Sequence, residues 1–224
     1  FLDITALNEA IPPHEHLTTL ALDLRDRQQI VDIAEQCLNA YPIHLLVNNA
    51  GYGLFGTVEH TNLDLVQEMF TVNVWGGVQL TQCFLPHLRN HQGVIVQISS
   101  VAGRTVFPES GFYAATKYAI EAISEALYQE TCTFGVRLRL IEPGCYDTCF
   151  AQTAQHMSPE RENSSDYQNL FPHWDARKQE VLEAPQPPME VVTAILDSLN
   201  DPQPFLRIPV GKDAHRILRL KDTI

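Results

Sequence analysis

One repeating order constrains this chain more than any other feature: a short apolar run, a polar or glycine cluster at its end, then a stretch with helical spacing. Leu20-Ala21-Leu22 runs into Asp23, and Ile43-His44-Leu45-Leu46-Val47 runs into Asn48-Asn49-Ala50-Gly51. Val94-Ile95-Val96-Gln97-Ile98 runs into Ser99-Ser100, and Val136-Arg137-Leu138-Arg139-Leu140-Ile141 is followed by Pro143-Gly144. Between these runs, residues 26–40 place Ile30, Ile33, Ala34, Cys37 and Leu38 at helical spacing behind Asp26 as cap. Residues 64–90 place Leu65, Met69, Val72, Gly76 and Leu80 on one face, with Pro86 near the end, and residues 110–134 form a third helix. Alternating strands and helices predict one α/β domain over 1–224 with a parallel sheet. The polar clusters then gather at the carboxyl ends of the strands, where open parallel sheets bind ligands. Residues 145–188 read as irregular, 189–199 as a helix, 204–208 as a strand and 212–221 as a last basic helix.

On the helix at 110–134, Tyr113 and Lys117 are one turn apart, so phenol and ammonium share a face. Ser100 leaves the strand at 94–98 toward the same point. A free tyrosine has a pKa of about 10, too high for acid–base work at neutral pH. A cation about 4 Å away favours the phenolate by roughly 1–4 kcal/mol, which lowers that pKa by roughly one to three units. Ser100 would hold a substrate oxygen by a hydrogen bond. Such a trio points to proton transfer to or from an alcohol or carbonyl.

Composition narrows the class further. With 224 residues, 45% hydrophobic and 19% charged, the chain has the make-up of a folded domain. No apolar run reaches the roughly 20 residues of a membrane helix. A net charge of −12 disfavours nucleic acid and anionic membrane surfaces as partners. A diphosphate is still compatible, because backbone N–H groups and helix N-termini bind it. The five cysteines, at 37, 83, 132, 145 and 149, match no zinc motif and read as small residues in a reducing compartment. His14-Glu15-His16 sits in a loop and gives no expectation of a metal site.

Asn48-Asn49-Ala50-Gly51, Asn73 in its helix, Ile98-Ser99-Ser100, Tyr113-x-x-x-Lys117 and Pro143-Gly144 followed by Thr148 resemble, in order and spacing, the short-chain dehydrogenase/reductase family. The resemblance implies a three-layer Rossmann-like parallel sheet and an NAD(P)-dependent oxidoreductase, with a slight lean to NADP. It also implies roles. Tyr113 is the acid–base residue and Ser100 anchors the substrate oxygen. Lys117 lowers the Tyr113 pKa and holds the nicotinamide ribose, and Asn73 fixes a water linking Lys117 to solvent. Asp23, with Leu24, contacts the adenine, and Asn49, Ala50 and Gly51 line the adenosine ribose. Pro143, Gly144, Tyr146 and Thr148 form the nicotinamide loop, with Thr148 near the carboxamide. Wording such as Asn49-Ala50-Gly51-Tyr52-Gly53 and Gly111-Phe112-Tyr113-Ala114-Ala115-Thr116-Lys117 is similar to members acting on lipophilic alcohols, ketones and aldehydes.

The chain departs from the family pattern at two points. No T-G-x-x-x-G-x-G turn, which receives the pyrophosphate, precedes Asp23, so the first βαβ portion is missing and the chain reads as an N-terminal truncation. Tyr146 stands where the family usually has Val or Ile. A cytoplasmic homodimer or homotetramer is expected, paired through the helices at 64–90 and 110–134 by way of Leu65, Met69, Trp75, Ile120, Ile123 and Leu127. Residues 150–187 are expected to act as a lid over the substrate. The alternative reading is a cofactor-free binding or regulatory protein on the same fold. The presence of Asn73, Ser100, Tyr113 and Lys117 together weighs against it.

Overall fold

The computed structural model describes residues 14–150, 153–154, 165–181 and 185–221. Four parallel strands lie in the order β1 (Leu45–Asn48), β2 (Val94–Ile98), β3 (Arg137–Pro143) and β4 (Phe205–Val210). Register aligns Leu46, Ile95 and Leu138 across the sheet. With strand side chains alternating, these residues face one helical layer. Helix α1 (Arg27–Ala40) and helix α3 (Gly77–Asn90) cover that face, packing Ala34, Phe84 and Leu88 against Leu46, Ile95, Val136 and Leu138. Helix α4 (Gly111–Thr131) adds Ile120 against Leu140. On the other face, helix α6 (Met189–Leu199) packs Val191, Ala194, Ile195 and Leu199 against Val94, Val96 and Ile141. Helix α7 (Lys212–Lys221) closes the carboxyl side of β4. The three layers are those expected from the sequence.

Local chemistry sets the element ends. The Asp26 carboxylate accepts hydrogen bonds from the backbone N–H groups of Gln28 and Gln29, both at 3.0 Å, and so starts α1. Asn62 does the same for helix α2 (Leu63–Phe70) through Asp64 N–H at 2.8 Å. Arg139, on β3, is fully buried. Its guanidinium donates to the carbonyls of Ser198, Asp201 and Gln203 at 2.8–2.9 Å, and so ties the α6–β4 connection to the sheet.

Four features differ from the sequence reading. No strand forms at 20–22. That segment is irregular, and Leu24 lies so close to Gly76 that a Cβ there would meet the Leu24 carbonyl at 2.7 Å. The helix expected over 64–90 is α2 and α3 joined by a π-helical segment, Thr71–Gly76. The stretch 145–188 contains helix α5 (Phe171–Val181), opened by Pro172 in its first turn, where the missing N–H costs nothing. Met69 and Ile120, expected at a subunit contact, are core residues, whereas Trp75 and Tyr118 are exposed on the same helices. The central strands β2 and β3 are buried, while Leu45 and Val47 on β1 are each 38% exposed.

Candidate active site

The carboxyl ends of β1, β2 and β3 point to one place, and helix α4 begins beside them. β2 delivers Ser100, whose hydroxyl caps a 3₁₀ turn (Val101–Gly103) by accepting from Ala102 N–H at 3.1 Å. The first turn of α4 delivers Tyr113, and the next turn delivers Lys117. The Ser100 hydroxyl donates a long hydrogen bond to the Pro143 carbonyl, at 3.5 Å, and lies near enough to the Tyr113 phenol to pull its pKa down. The Lys117 ammonium donates to the Ile98 carbonyl at 2.9 Å and lies 5.8 Å from the Tyr113 ring centre. Both side chains are buried.

The tuning differs from the sequence expectation. Burial pushes the Tyr113 pKa up to about 12, against the opposing pull of the neighbouring Ser100. Burial also draws Lys117 down to about 8, with Glu121 opposing. Desolvation outweighs the field of a lysine whose ammonium is committed to a backbone carbonyl. Tyr113 is therefore a protonated phenol at neutral pH, poised as a donor.

Asn73 sits in the π segment, a backbone form that often marks functional sites. Its side chain bonds two neighbouring elements. The amide donates to the Tyr52 carbonyl at 2.8 Å and to the Thr116 hydroxyl at 3.2 Å, and its oxygen accepts from Tyr52 N–H at 2.9 Å. It thus staples the loop after β1 to α4. Within that loop Asn49, Ala50 and Gly51 are exposed. Gly51 lies where a Cβ would come 3.0 Å from the Asn73 oxygen and 3.9 Å from Lys117 Nζ, so only hydrogen fits without displacement.

The other predicted positions fall at the rim. The Asp23 carboxylate pairs with Arg25 at 2.6 Å, which lowers its pKa, and Arg25 reaches Glu68 at 2.7 Å. Leu24 packs on Gly76. Pro143 and Gly144 end β3, and Gly144 N–H donates to the Val210 carbonyl at 3.0 Å. Thr148 is exposed, its hydroxyl accepting from Phe150 N–H at 3.3 Å. Tyr146 turns its hydroxyl to Glu190, at 3.2 Å, and forms a parallel bridge with Gln186.

Several residues that the sequence reading passed over shape the site. Asp213, fully buried on α7, accepts from Cys145 N–H at 2.7 Å, from Ala214 N–H at 2.9 Å and from the Gln186 amide at 3.3 Å. It fixes the 143–148 loop. The segment leaving that loop returns at Gln186, held by Cys145 and Asp147 backbone hydrogen bonds at 3.1 and 2.9 Å. Its described parts touch the site at Phe150 and the surface beyond it. The Phe150 ring lies 5.4 Å from that of Tyr113, the Tyr167 hydroxyl donates to Glu59 at 2.7 Å, and Lys178 pairs with Glu109 at 3.0 Å. Met157, expected among the lid residues, lies outside the described residues. Phe55, at 5.9 Å, joins Leu54, Met69 and Ala102 in an apolar wall around Tyr113.

A family model described as short chain dehydrogenase matches residues 4–159, more than half of the chain. The chain belongs to the short-chain dehydrogenase family. An uncharacterized oxidoreductase of Schizosaccharomyces pombe is 32% identical over 203 residues, covering 88% of this chain and 83% of that protein. The 17-beta-hydroxysteroid dehydrogenase type 1 of Homo sapiens is 36% identical over 217 residues, covering 95% of this chain but 65% of that enzyme. A solved short-chain dehydrogenase from Streptomyces avermitilis superposes with a TM-score of 0.79 at 27% identity, covering 98% of this chain and 79% of that one. A Burkholderia phymatum short-chain dehydrogenase/reductase, solved in complex with NAD, shares the fold with a TM-score of 0.70 at 24% identity, covering 89% of this chain and 71% of that one. The chain is accordingly a dehydrogenase of this family.

Proposed function

We propose that this dehydrogenase interconverts a lipophilic alcohol with its ketone or aldehyde, using NAD(P) and more readily NADP. The observation that carries the reading is the buried Tyr113 phenol, followed one turn later by Lys117 and neighboured by Ser100, at the carboxyl edge of a parallel sheet. The residues present fit the ribose and nicotinamide parts of a dinucleotide. Asn49, Ala50 and Gly51 present exposed backbone, and Gly51 removes the side chain that would collide with Asn73 beside Lys117. When bound, the nicotinamide supplies or accepts the hydride. The solved relative named above that holds NAD supports a cofactor of this class.

The chain's own groups divide the remaining work. Ser100 holds the carbonyl or alcohol oxygen. Tyr113, protonated at neutral pH, donates to an oxygen that gains charge during reduction and takes the proton back in oxidation. Lys117 holds the ribose hydroxyls. Pro143 to Thr148 form the wall on the nicotinamide side, with Tyr146 contributing backbone. Asp23 and Leu24 bound the adenine end. The apolar ring of Leu54, Phe55, Met69 and Phe150 around the phenol favours a lipophilic substrate and keeps water away from the transferred proton. Residues 150–187 act as the lid. A homo-oligomer forms through the helices at 64–90 and 110–134, where Trp75 is exposed, and a monomer by light scattering at micromolar concentration contradicts that part.

Cofactor binding followed by protein fluorescence, with turnover of NADPH and NADH against a series of ketones of increasing chain length, tests the function. The reading requires saturable dinucleotide binding and kcat/KM rising with apolar length. Binding of ketone without any dinucleotide binding contradicts it and favours a cofactor-free binding protein.

A further inference from the structure

Behind the Tyr113–Lys117 face lies a buried ionic cluster that the reaction as described does not use. Glu142, at the end of β3, is fully buried, and Glu121, one turn beyond Lys117 on α4, is 6% exposed. A single atom joins them: Arg207 Nε, from β4, lies 3.0 Å from Glu121 Oε2 and 4.0 Å from Glu142 Oε1. Arg207 also pairs with the exposed Glu125 at 2.9 Å. From the turn after β2, Arg104 reaches Glu142 Oε2 at 3.5 Å. Glu121 Oε1, Glu142 Oε1 and the hydroxyls of Ser99 and Ser124 are buried without a hydrogen-bond partner.

We propose that Glu121 and Glu142 share one proton, carried by Glu142, and that ionised Glu121 is the positioning residue that keeps Lys117 charged and aimed; this rests on the dehydrogenase reading above. Two ionised carboxylates this deep would leave two charged oxygens without partners, a costly arrangement that proteins relieve by binding a proton. Arg207 decides which one stays charged, because its close contact and fork are spent on Glu121 and Glu125. Glu142 keeps only the long contacts to Arg207 and Arg104. A protonated Glu142 is also a donor, in a cluster whose Ser99, Ser124 and Glu121 oxygens lack one. The direction of the Glu142 shift agrees: burial, then the neighbouring Glu121 charge, raises it to about 7.

The link to Lys117 is geometric. Glu121 follows Lys117 by one helical turn on the same face of α4. The Lys117 ammonium is anchored on Ile98 O, and the next residue, Ser99, lines the space occupied by Glu121. A Cβ on Gly103 would sit 2.7 Å from Ser99 Oγ and 3.0 Å from Glu121 Cγ. The order Arg207, Glu121, Ser99 and Ile98 thus runs from β4 to the base of Lys117. The groups facing the pair are Arg207 from β4, Arg104 from the 3₁₀ turn, Lys117 and Glu125 from α4, and the Ser99 and Ser124 hydroxyls.

Two readouts test this, using NADPH titration by fluorescence and pH-dependent infrared difference spectra. Glu142→Gln mimics the protonated acid. It should leave kcat/KM at neutral pH within about two-fold of wild type and remove a carboxylic-acid band that titrates near neutrality. Glu121→Gln should shift the alkaline limit of cofactor affinity and of kcat/KM downward by about one pH unit, a tenfold change in proton affinity at Lys117. The plateau at lower pH should be retained. Should Glu121→Gln fail to fold, Gly103→Ala, which displaces Glu121, should move the same limb in the same direction. Superimposable pH profiles for the folded variant, or absence of the acid band in wild type, overturn the proposal. Failure of the parent reading is distinguishable: wild type would then bind no dinucleotide at any pH, while the infrared band would still report the shared proton.

Discussion

Asp213 and Gly144 form a lock whose strength can be worked from the structure. The Asp213 carboxylate takes hydrogen bonds from Cys145 N–H, Ala214 N–H and the Gln186 amide in a fully buried setting. Charge-assisted hydrogen bonds contribute about 1.5–3 kcal/mol each, and each buried donor left without a partner costs about 1–3 kcal/mol. Not all of these losses add, because contributions within one buried network are not additive. Asp213→Ala should therefore destabilise the fold by about 3–5 kcal/mol. Asp213→Asn keeps an acceptor and should cost about half as much. Gly144→Ala places its Cβ 1.9 Å from Asp213 Oδ1, with the other near atoms also in the Asp213 side chain. Overlap of that size exceeds ordinary overpacking, so a cost of about 3 kcal/mol or more follows. Once Asp213 is truncated to alanine, the colliding atoms are gone. Gly144→Ala should then cost about 1 kcal/mol in that background, a coupling of about 2 kcal/mol. Urea unfolding of the four proteins in this cycle measures it. Additive costs within about 0.5 kcal/mol, or a loss below about 1 kcal/mol for Asp213→Ala, refute the lock.

The raised phenol gives a direction to the pH dependence. With Tyr113 at about 12, carbonyl reduction has its proton donor in place throughout the neutral range and should hold steady until Lys117, at about 8, loses its charge; alcohol oxidation should instead keep rising with pH through neutrality. A reduction rate that falls between about pH 6 and pH 7.5 contradicts this ordering. Lys178→Ala, which removes the tie to Glu109, should raise KM for long apolar ketones several-fold and speed proteolysis within 150–187, with little change for short ketones; equal cleavage in variant and wild type counts against the lid. Arg139→Met should cost about 3 kcal/mol by urea unfolding, since it strips the donor from the buried Ser198 carbonyl and from the part-buried carbonyls of Asp201 and Gln203, and a loss below about 1 kcal/mol refutes its role as the tie of the α6–β4 connection.

The parts of the fold carried by period and punctuation were legible. Asp26 announced α1, the β-branched run at 94–98 announced a buried strand, and Tyr113 with Lys117 shared a face because i and i+4 must. What resisted was set by distant partners. Leu20-Ala21-Leu22 has a strand's composition, but the segment is spent packing Leu24 on Gly76. Helix α5 has a weak apolar face, so 145–188 reads as irregular. The π segment around Asn73 cannot be told from an α-helix by spacing, because both carry the same apolar stripe. The sign of the Tyr113 shift depended on how deeply phenol and lysine are buried, which spacing does not encode. Asp213 is one acid in the first turn of a basic helix, and its contacts with residues 145 and 186 exist only in the folded chain. Glu121 and Glu142 did leave a trace: one stands a turn beyond Lys117, the other directly ends an apolar run.

The account's central claim is that Tyr113 moves the proton. Tyr113→Phe removes one hydroxyl and leaves Lys117, Asn73 and the loop after β1 in place. The measurement is kcat/KM for ketone reduction, with the dissociation constant of NADPH measured on the same preparation. The account predicts that turnover falls by about 10²–10⁴-fold while the dissociation constant stays within about two-fold. Retention of more than about a tenth of the wild-type rate contradicts it.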